Sequence, residues 1–206
     1  VRIITRAVAI SNLKQYVGQD LRELAHIHGI TTFETGRQNK GWKGLVLERL
    51  AGLENNTSKA PNGLTWELKS VSFRREDDRS TAKETMAITM INAQEVMAQE
   101  FFDSHCWAKL KTIVLCAVMW TGTDAQSAQL LRVSSIDFME DDEIILEIKA
   151  DYDLIRQKLT TQGFEALTGR DGKWIQARTK GPGHGSVSRA FYARKALVQR
   201  IFDTAL

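Results

Sequence analysis

Between Lys111 and Met119 the chain reads Thr-Ile-Val-Leu-Cys-Ala-Val, seven residues without a charge. A strand facing water on one side alternates apolar and polar residues; one covered on both sides reads as a continuous apolar run. This segment is therefore expected to be a central strand. Together with the helices and strands expected along the rest of the chain, it makes the expected class α/β.

The rest of the chain has the material for such a core. It has 206 residues, 43% hydrophobic and 26% charged, with two prolines, which suits one domain or one domain with a small lobe. The net charge of +3 permits a nucleic-acid partner without requiring one. Cys106 and Cys116 are the two cysteines, and Cys116 reads as a core thiol. No Cys/His spacing resembles a zinc site, and the cysteine usage fits a reducing cytoplasm. No apolar stretch approaches 18 residues, so no membrane span is expected, and Val1–Ile10 lacks the features of a secretion signal.

Apolar spacing predicts helices over 7–17 and 20–28, with Asp20 as N-cap and Gly29 as stop. Residues 31–40 read as a polar loop. A helix over 41–53 carries the stripe Trp42, Val46, Leu50, Leu53, and 54–63 is a loop of turn formers. A strand follows at 64–71, then a charged loop at 74–83 and a strand at Thr85–Ile91. Asn92 and Glu95 resemble a capping box opening a helix to about Ser104. Strands are expected at Leu130–Phe138 and Glu143–Lys149, then a helix at 150–162. Phe164–Thr168 and Lys173–Thr179 read as a hairpin about Gly169–Gly172. A glycine-rich loop at 180–186 precedes a last helix, capped by Ser186 or Ser188 and running to about Phe202.

Chemistry enters at Glu67-Leu68-Lys69. Strand side chains alternate, so Glu67 and Lys69 share a face opposite Leu64, Trp66 and Leu68. A carboxylate and an amine on one half-buried strand suit a metal-dependent nuclease. The carboxylate holds a divalent ion that activates water, and the lysine positions that water or offsets phosphate charge. Glu48, on the 41–53 helix, faces away from the apolar stripe as either a solvated glutamate or a further acidic ligand. Asn62 stands beside Pro61 at the strand entrance. Lys109 and Lys111 are either an ordinary charged strand entrance or two amines reaching a phosphate from one face.

In this order the segments resemble the MutH-type mismatch-repair endonucleases and the related GATC-cutting restriction enzymes, a branch of the PD-(D/E)xK nucleases. The resemblance is carried by residues 16–25, by 40–48 (Lys-Gly-Trp-Lys-Gly-Leu-Val-Leu-Glu), and by Pro61-Asn62 with Glu67-Leu68-Lys69. Residues 109–111, 172–180 and 189–195 extend it. It implies a restriction-endonuclease-like core with a mixed central sheet flanked by helices. It also implies one domain over 1–206, with a catalytic lobe at about 30–120 and a DNA-reading lobe at about 150–206. Glu48 matches the supporting helix glutamate, and Glu67 a metal ligand. Lys69 matches the catalytic lysine, and Lys109 a further lysine near the scissile phosphate. Lys40 matches a DNA-contacting lysine. The implied metal position is Asn62, Glu67 and Leu68, and the implied cofactor is Mg2+.

Asn62 is the departure, because the family carries its central metal-binding aspartate there. An amide oxygen can coordinate magnesium but brings no charge, which weakens such a site. An engineered inactive variant, a naturally inactive binding protein, and partial deamidation of Asn62-Gly63 each account for it. The intact remaining positions favour the first.

Base reading is expected around the glycine-rich loop, from Arg178, Thr179, Lys180 and His184. The alternative for this loop is a flexible surface connection. Tyr192 is similar to a family tyrosine that inserts at the target bases, or is a core aromatic beside Phe191. Arg189 and Arg194 are expected on phosphates, with Lys111. The implied partner is double-stranded DNA, met by a monomer or transient dimer in a prokaryotic or phage-infected cytoplasm. A MutL-type activator is added if the role is repair. Such an enzyme hydrolyses phosphodiesters; the alternative is a catalytically inactive sequence-specific DNA-binding protein.

Overall fold

The uncharged run folds as the strand Thr112–Met119, hydrogen-bonded along both edges. Its side chains alternate between two cores. Ile113, Leu115 and Ala117 enter one, and Val114, Cys116 and Val118 the other. Neither set leaves a polar face, which is why this stretch carries no charge.

The computed structural model describes residues 4–34, 37–39, 41–53, 61–63, 65–76, 78–121, 128–180 and 188–204. The elements begin with α1 (Arg6–Lys14), α2 (Leu21–Ile27), β1 (Phe33–Glu34), β2 (Arg37–Gln38) and α3 (Trp42–Ala51). Then come β3 (Glu67–Glu76), β4 (Arg79–Ala82), β5 (Met86–Met90), α4 (Ala93–Ala98), α5 (His105–Leu110) and β6 (Thr112–Met119). The chain continues through β7 (Leu130–Asp137), α6 (Glu143–Gln162), β8 (Ile175–Thr179), β9 (Arg189–Ala193) and α7 (Lys195–Asp203).

The main sheet has the order β4-β3-β6-β7, with β3 and β6 parallel and the other pairs antiparallel. This is the mixed, helix-flanked sheet expected from the sequence. On one face α1, α2 and α3 place Leu13, Leu21, Trp42 and Val46 over Trp66, Leu68, Val114 and Cys116. On the other, α5, α6 and α7 and a second antiparallel sheet, β5-β9-β8, bury Phe73, Phe101, Tyr152 and Phe191. Cys106 and Cys116 are both buried free thiols, and burial pushes Cys116 up to about 12. Among the described residues no helix is long and apolar enough to cross a membrane.

Asp20 caps α2 through a 2.7 Å bond from Arg22 N, and Gly52 ends α3 in the left-handed conformation, φ 87°. Elsewhere the elements differ from the sequence reading. Residues 31–40 contain the small pair β1-β2. Residues 74–83 are no loop: β3 runs on to Glu76 and turns into β4, with Glu76 opposite Arg79. The helix opened by Asn92 stops at Ala98. Arg156 takes the Met97 carbonyl and the Glu100 carboxylate there, and a 3-10 turn at Phe101–Asp103 leads into α5.

Glu143–Lys149 is not a strand but the start of the 20-residue α6. Its β-branched residues read as a strand in a seven-residue window. Across the longer one, Ile144, Ile148, Tyr152, Ile155 and Leu159 recur at helical spacing. Phe164–Thr168 does not pair with β8; β8 pairs with β9 instead. Residues 189–193, expected in a helix, are that strand, so Phe191 and Tyr192 diverge by strand alternation rather than helical rotation.

Candidate active site

Three elements bring Glu48, Asn62, Glu67 and Lys69 together, and α5 adds Lys109. The αL end of α3 follows Glu48 by one turn and leaves its side chain half-buried over the entrance to β3. A tight turn holds Asn62. Gly63 N donates to the Trp66 carbonyl at 2.9 Å, and a Cβ on Gly63 would stand 1.9 Å from Trp66 Nε1, so only glycine fits. That indole in turn donates to the Ile4 carbonyl at 3.1 Å, pinning the turn to the α1 side of the core. β3 then presents Glu67 and Lys69 on one face.

Asn62 is the hub. Its backbone N–H donates to Glu67 Oε2 at 3.1 Å. Its Nδ2 donates to Glu48 Oε1 at 3.1 Å, and its Oδ1 accepts from Leu68 N at 3.1 Å. The other Glu67 oxygen, Oε1, meets Lys69 Nζ at 2.9 Å and Lys109 Nζ at 3.2 Å. Lys69 also donates to the Ile88 carbonyl at 3.1 Å, which ties β3 to β5. A cavity of about 210 Å3 opens among Glu48, Lys69, Gly44, Ser70 and Ala87.

Burial raises the Glu48 carboxyl above its ordinary range; the Asn62 hydrogen bond opposes this, and the Glu67 charge adds to it. Burial lowers the Lys69 ammonium, with the adjacent Glu67 carboxylate opposing and the charges of Lys109 and Lys180 adding to the fall. Burial resists charge on both groups.

The resemblance implies a divalent ion among these residues. Among the described residues no group of three or more His, Cys, Asp or Glu stands together. Two carboxylates and an amide are present, and the amide turns its nitrogen, not its oxygen, toward Glu48. Leu68 N–H fixes that orientation, because a flipped amide would set two donors against each other. Glu67 is already matched by two ammonium groups. As folded, these residues balance their own charge and do not fit a divalent cation.

Glu48, Asn62, Glu67, Lys69 and Lys109 thus converge on one cleft, with Leu68 bound to Asn62. Lys111 does not join them. Lys109 lies in the last turn of α5 rather than at a strand entrance, and Lys111 follows it as the exposed helix cap. Residues two apart on a helix diverge by about 200°, so the two amines cannot serve one phosphate from one face.

The second sheet approaches the same cavity. Tyr192 pairs with Ala87, which lines it. The Arg178 guanidinium lies 5.8 Å from the Tyr192 ring and donates to Thr85 Oγ1 at 3.0 Å. Thr179 is exposed at the end of β8. Two arginines are engaged elsewhere. Arg189 is 12% exposed, lies over Phe164 and meets Glu165 at 3.7 Å. Arg194 donates to the carbonyls of Gly169, Asp171 and Gly172 at 3.0–3.1 Å, clamping a turn instead of facing outward. Lys40, His184 and the 181–187 loop lie outside the described residues. The sequence reading missed the Ile88 carbonyl and Thr85, because nothing local signals that β5 leaves the main sheet for the second one.

A mixed central sheet flanked by helices, with Glu-x-Lys at the start of an inner strand, is the arrangement of a restriction-endonuclease-like fold. Within it, residues 52–149 match the family model described as DNA mismatch repair enzyme MutH, a span holding Asn62, Glu67, Lys69 and Lys109. The chain is 24% identical over 196 residues to a DNA mismatch repair protein MutH of Escherichia coli O17:K52:H18, covering 92% of this chain and 82% of that protein. It is 25% identical over 183 residues to the MutH of Shewanella woodyi, covering 88% and 78%. Against the MutH of Shigella flexneri serotype 5b it is 24% identical over 196 residues, covering 92% and 82%. The resemblance to MutH-type endonucleases therefore extends over nine-tenths of the chain.

Proposed function

We propose that this chain is a MutH-like endonuclease of duplex DNA whose phosphodiester hydrolysis is impaired by Asn62. The observation that carries this reading is the convergence of Glu48, Asn62, Glu67, Lys69 and Lys109 on one cleft beside Tyr192 and Arg178. In it the scissile phosphate meets the Lys69 and Lys109 amines, whose ammonium form, favoured by the Glu67 carboxylate, offsets the charge that develops on the phosphoryl oxygens. Glu67 holds both amines in place. The products are a 5′-phosphate and a 3′-hydroxyl. Arg178, Thr179, Lys180 and Tyr192 read the site, with Lys40, Lys111 and His184 as further DNA contacts.

Mg2+ is the cofactor that the family likeness implies, and we assign it to a form with a carboxylate at position 62. We assign catalysis to a lobe of about 30–120 and DNA reading to a lobe of about 150–206, whose strands β8 and β9 share a sheet with β5. The setting is a bacterial cytoplasm, with the chain a monomer or transient dimer. A MutL-type activator joins in a repair role and is absent in a restriction role.

The deciding experiment is incubation of supercoiled plasmid with Mg2+ and either the chain as written or Asn62→Asp, scoring nicked against linear product. We expect little or no cutting by the first and cutting by the second. Full activity of the Asn62 protein, with no deamidation by mass spectrometry, defeats the impairment. An Asn62→Asp protein that binds duplex DNA and leaves it intact replaces this reading with an inactive sequence-specific DNA-binding protein.

A further inference from the structure

β4 pairs with β3 only from Phe73 to Glu76, so on the side away from β6 residues 68–72 have no paired strand among the described residues. Backbone groups of alternate residues point to that side. Leu68 N–H goes to Asn62 Oδ1 at 3.1 Å. Ser72 N–H goes to Glu84 Oε1 at 3.0 Å, and the Ser72 carbonyl accepts Lys83 N at 2.9 Å. Ser70 lies midway and turns its own N–H and C=O the same way. Along this edge the catalytic cavity continues into a second one of about 380 Å3, which shares Gly44 and Ser70 with it. Lys43 and Lys83 flank the second cavity. Beyond it the Trp120 ring carries the Lys83 ammonium at 4.0 Å and the Arg74 guanidinium at 4.7 Å. Glu84 is the carboxylate on this wall, and one of its oxygens is held by Ser72.

Gly44 adds an independent sign. It is the third residue of α3, in the first turn, where alanine is still the better helix former, by at most about 1 kcal/mol. A Cβ there would meet nothing within 4 Å, so packing does not call for glycine. The space that it leaves open faces both cavities.

We propose that this groove is a phosphate track. It holds the backbone of the DNA strand as it leaves the cleavage cavity, with Ser70, Lys43 and Lys83 taking phosphates next to the one at Lys69. Main-chain N–H groups, serine hydroxyls and lysines are the donors that position a duplex by its backbone without reading sequence. The bare wall at Gly44 lets that backbone come close. This proposal rests on the reading that the chain binds duplex DNA.

The test is a titration of a fluorescein-labelled, mixed-sequence 24-base-pair duplex by anisotropy, repeated across a KCl series, with a thermal melt of every protein. Lys83→Gln should flatten the slope of log affinity against log salt by about 0.9, the value for one lost phosphate contact. Gly44→Glu should weaken binding at every salt concentration, and Gly44→Ala should melt higher than the chain as written. Lys14→Gln, on α1, should leave the slope unchanged. If the unaltered chain binds no duplex, the DNA-binding reading itself fails. If it binds, and Lys83→Gln and Gly44→Glu bind as it does with the same slope, the track alone is overturned. Should Gly44→Glu not fold, Lys83→Gln and Arg74→Gln decide by slope.

Discussion

The side-chain nitrogen of Asn62 stands 3.1 Å from a carboxylate oxygen of Glu48. An amide in this place is a donor, so it satisfies Glu48 without any cation. An aspartate would offer acceptors only, and two carboxylates at that distance repel unless a proton or a cation comes between them. The other amide atom, Oδ1, accepts from Leu68 N, as an aspartate oxygen could. One atom therefore decides whether the cleft is balanced by its own residues or calls for an added positive charge.

In metal-free buffer at pH 7 the Asn62→Asp protein should melt below the chain as written. A cost of 1 kcal/mol corresponds to about 2–4 °C in a chain of this size. Added Mg2+ should restore the Asn62→Asp melt and leave that of the unaltered chain where it was. Differential scanning fluorimetry in EDTA and in Mg2+ makes the comparison, and equal responses of the two proteins would remove Asn62 from its deciding role.

Glu48 has its own pH signature. Burial lifts its carboxyl above the ordinary 4.5, against the Asn62 hydrogen bond and with help from the Glu67 charge. A carboxyl raised in the folded state contributes its stability below the unfolded value and loses it as pH rises through the folded one. The charged form thus works against the fold at neutral pH. Glu48→Gln, which keeps an acceptor for Asn62, should raise the melting temperature at pH 7 and leave it nearly unchanged at pH 4. A gain of the same size at both pH values would show that shape, not charge, is responsible.

The meeting of Glu48, Asn62, Glu67 and Lys69 in one cleft was legible in the sequence because these residues lie on elements with strong local signals. The stripe Trp42, Val46, Leu50 fixes the α3 face, and strand alternation sets Glu67 beside Lys69. The turn at Asn62-Gly63 was marked by its residue types, although its tightness depends on Trp66 packing against Gly63. What was illegible is tertiary. Lys109 reaches Glu67 because Phe101, Phe102 and Trp107 gather into one ring cluster, with Trp107 seating α5. Arg194 looks like a phosphate ligand in sequence, but three carbonyls of a turn more than twenty residues away use up its donors. Tyr192 comes opposite Ala87, which lines the cavity, because β9 sits between β5 and β8, a pairing with no signal within five residues of it.

Those placements separate two kinds of arginine. Arg178→Ala or Lys180→Ala should cost about 1–3 kcal/mol on a cognate duplex and much less on random DNA, since a base-edge contact is lost. Arg194→Ala should leave the ratio of cognate to random affinity and the salt slope alone, and destabilise the fold by about 2–3 kcal/mol through the carbonyls it deserts. Paired DNA titrations and urea melts read both. A flattened salt slope in Arg194→Ala would return that residue to the DNA.

Glu67 is the counter-ion that keeps two amines in the cleft. Its side chain is 5% exposed, and those of Lys69 and Lys109 are each 15% exposed. Removing one member of a buried ion cluster leaves charge without a partner, at a cost of about 3–5 kcal/mol. Glu67→Gln should therefore destabilise the chain by about that much in urea, and abolish any cutting regained by Asn62→Asp. Adding Lys109→Met to Glu67→Gln should recover part of the stability, because one of the two orphaned ammonium groups is gone, but none of the cutting. A double-mutant cycle measures the coupling. If the two losses simply added, Lys109 would be held by something other than Glu67, and its place beside the scissile phosphate would have to be given up.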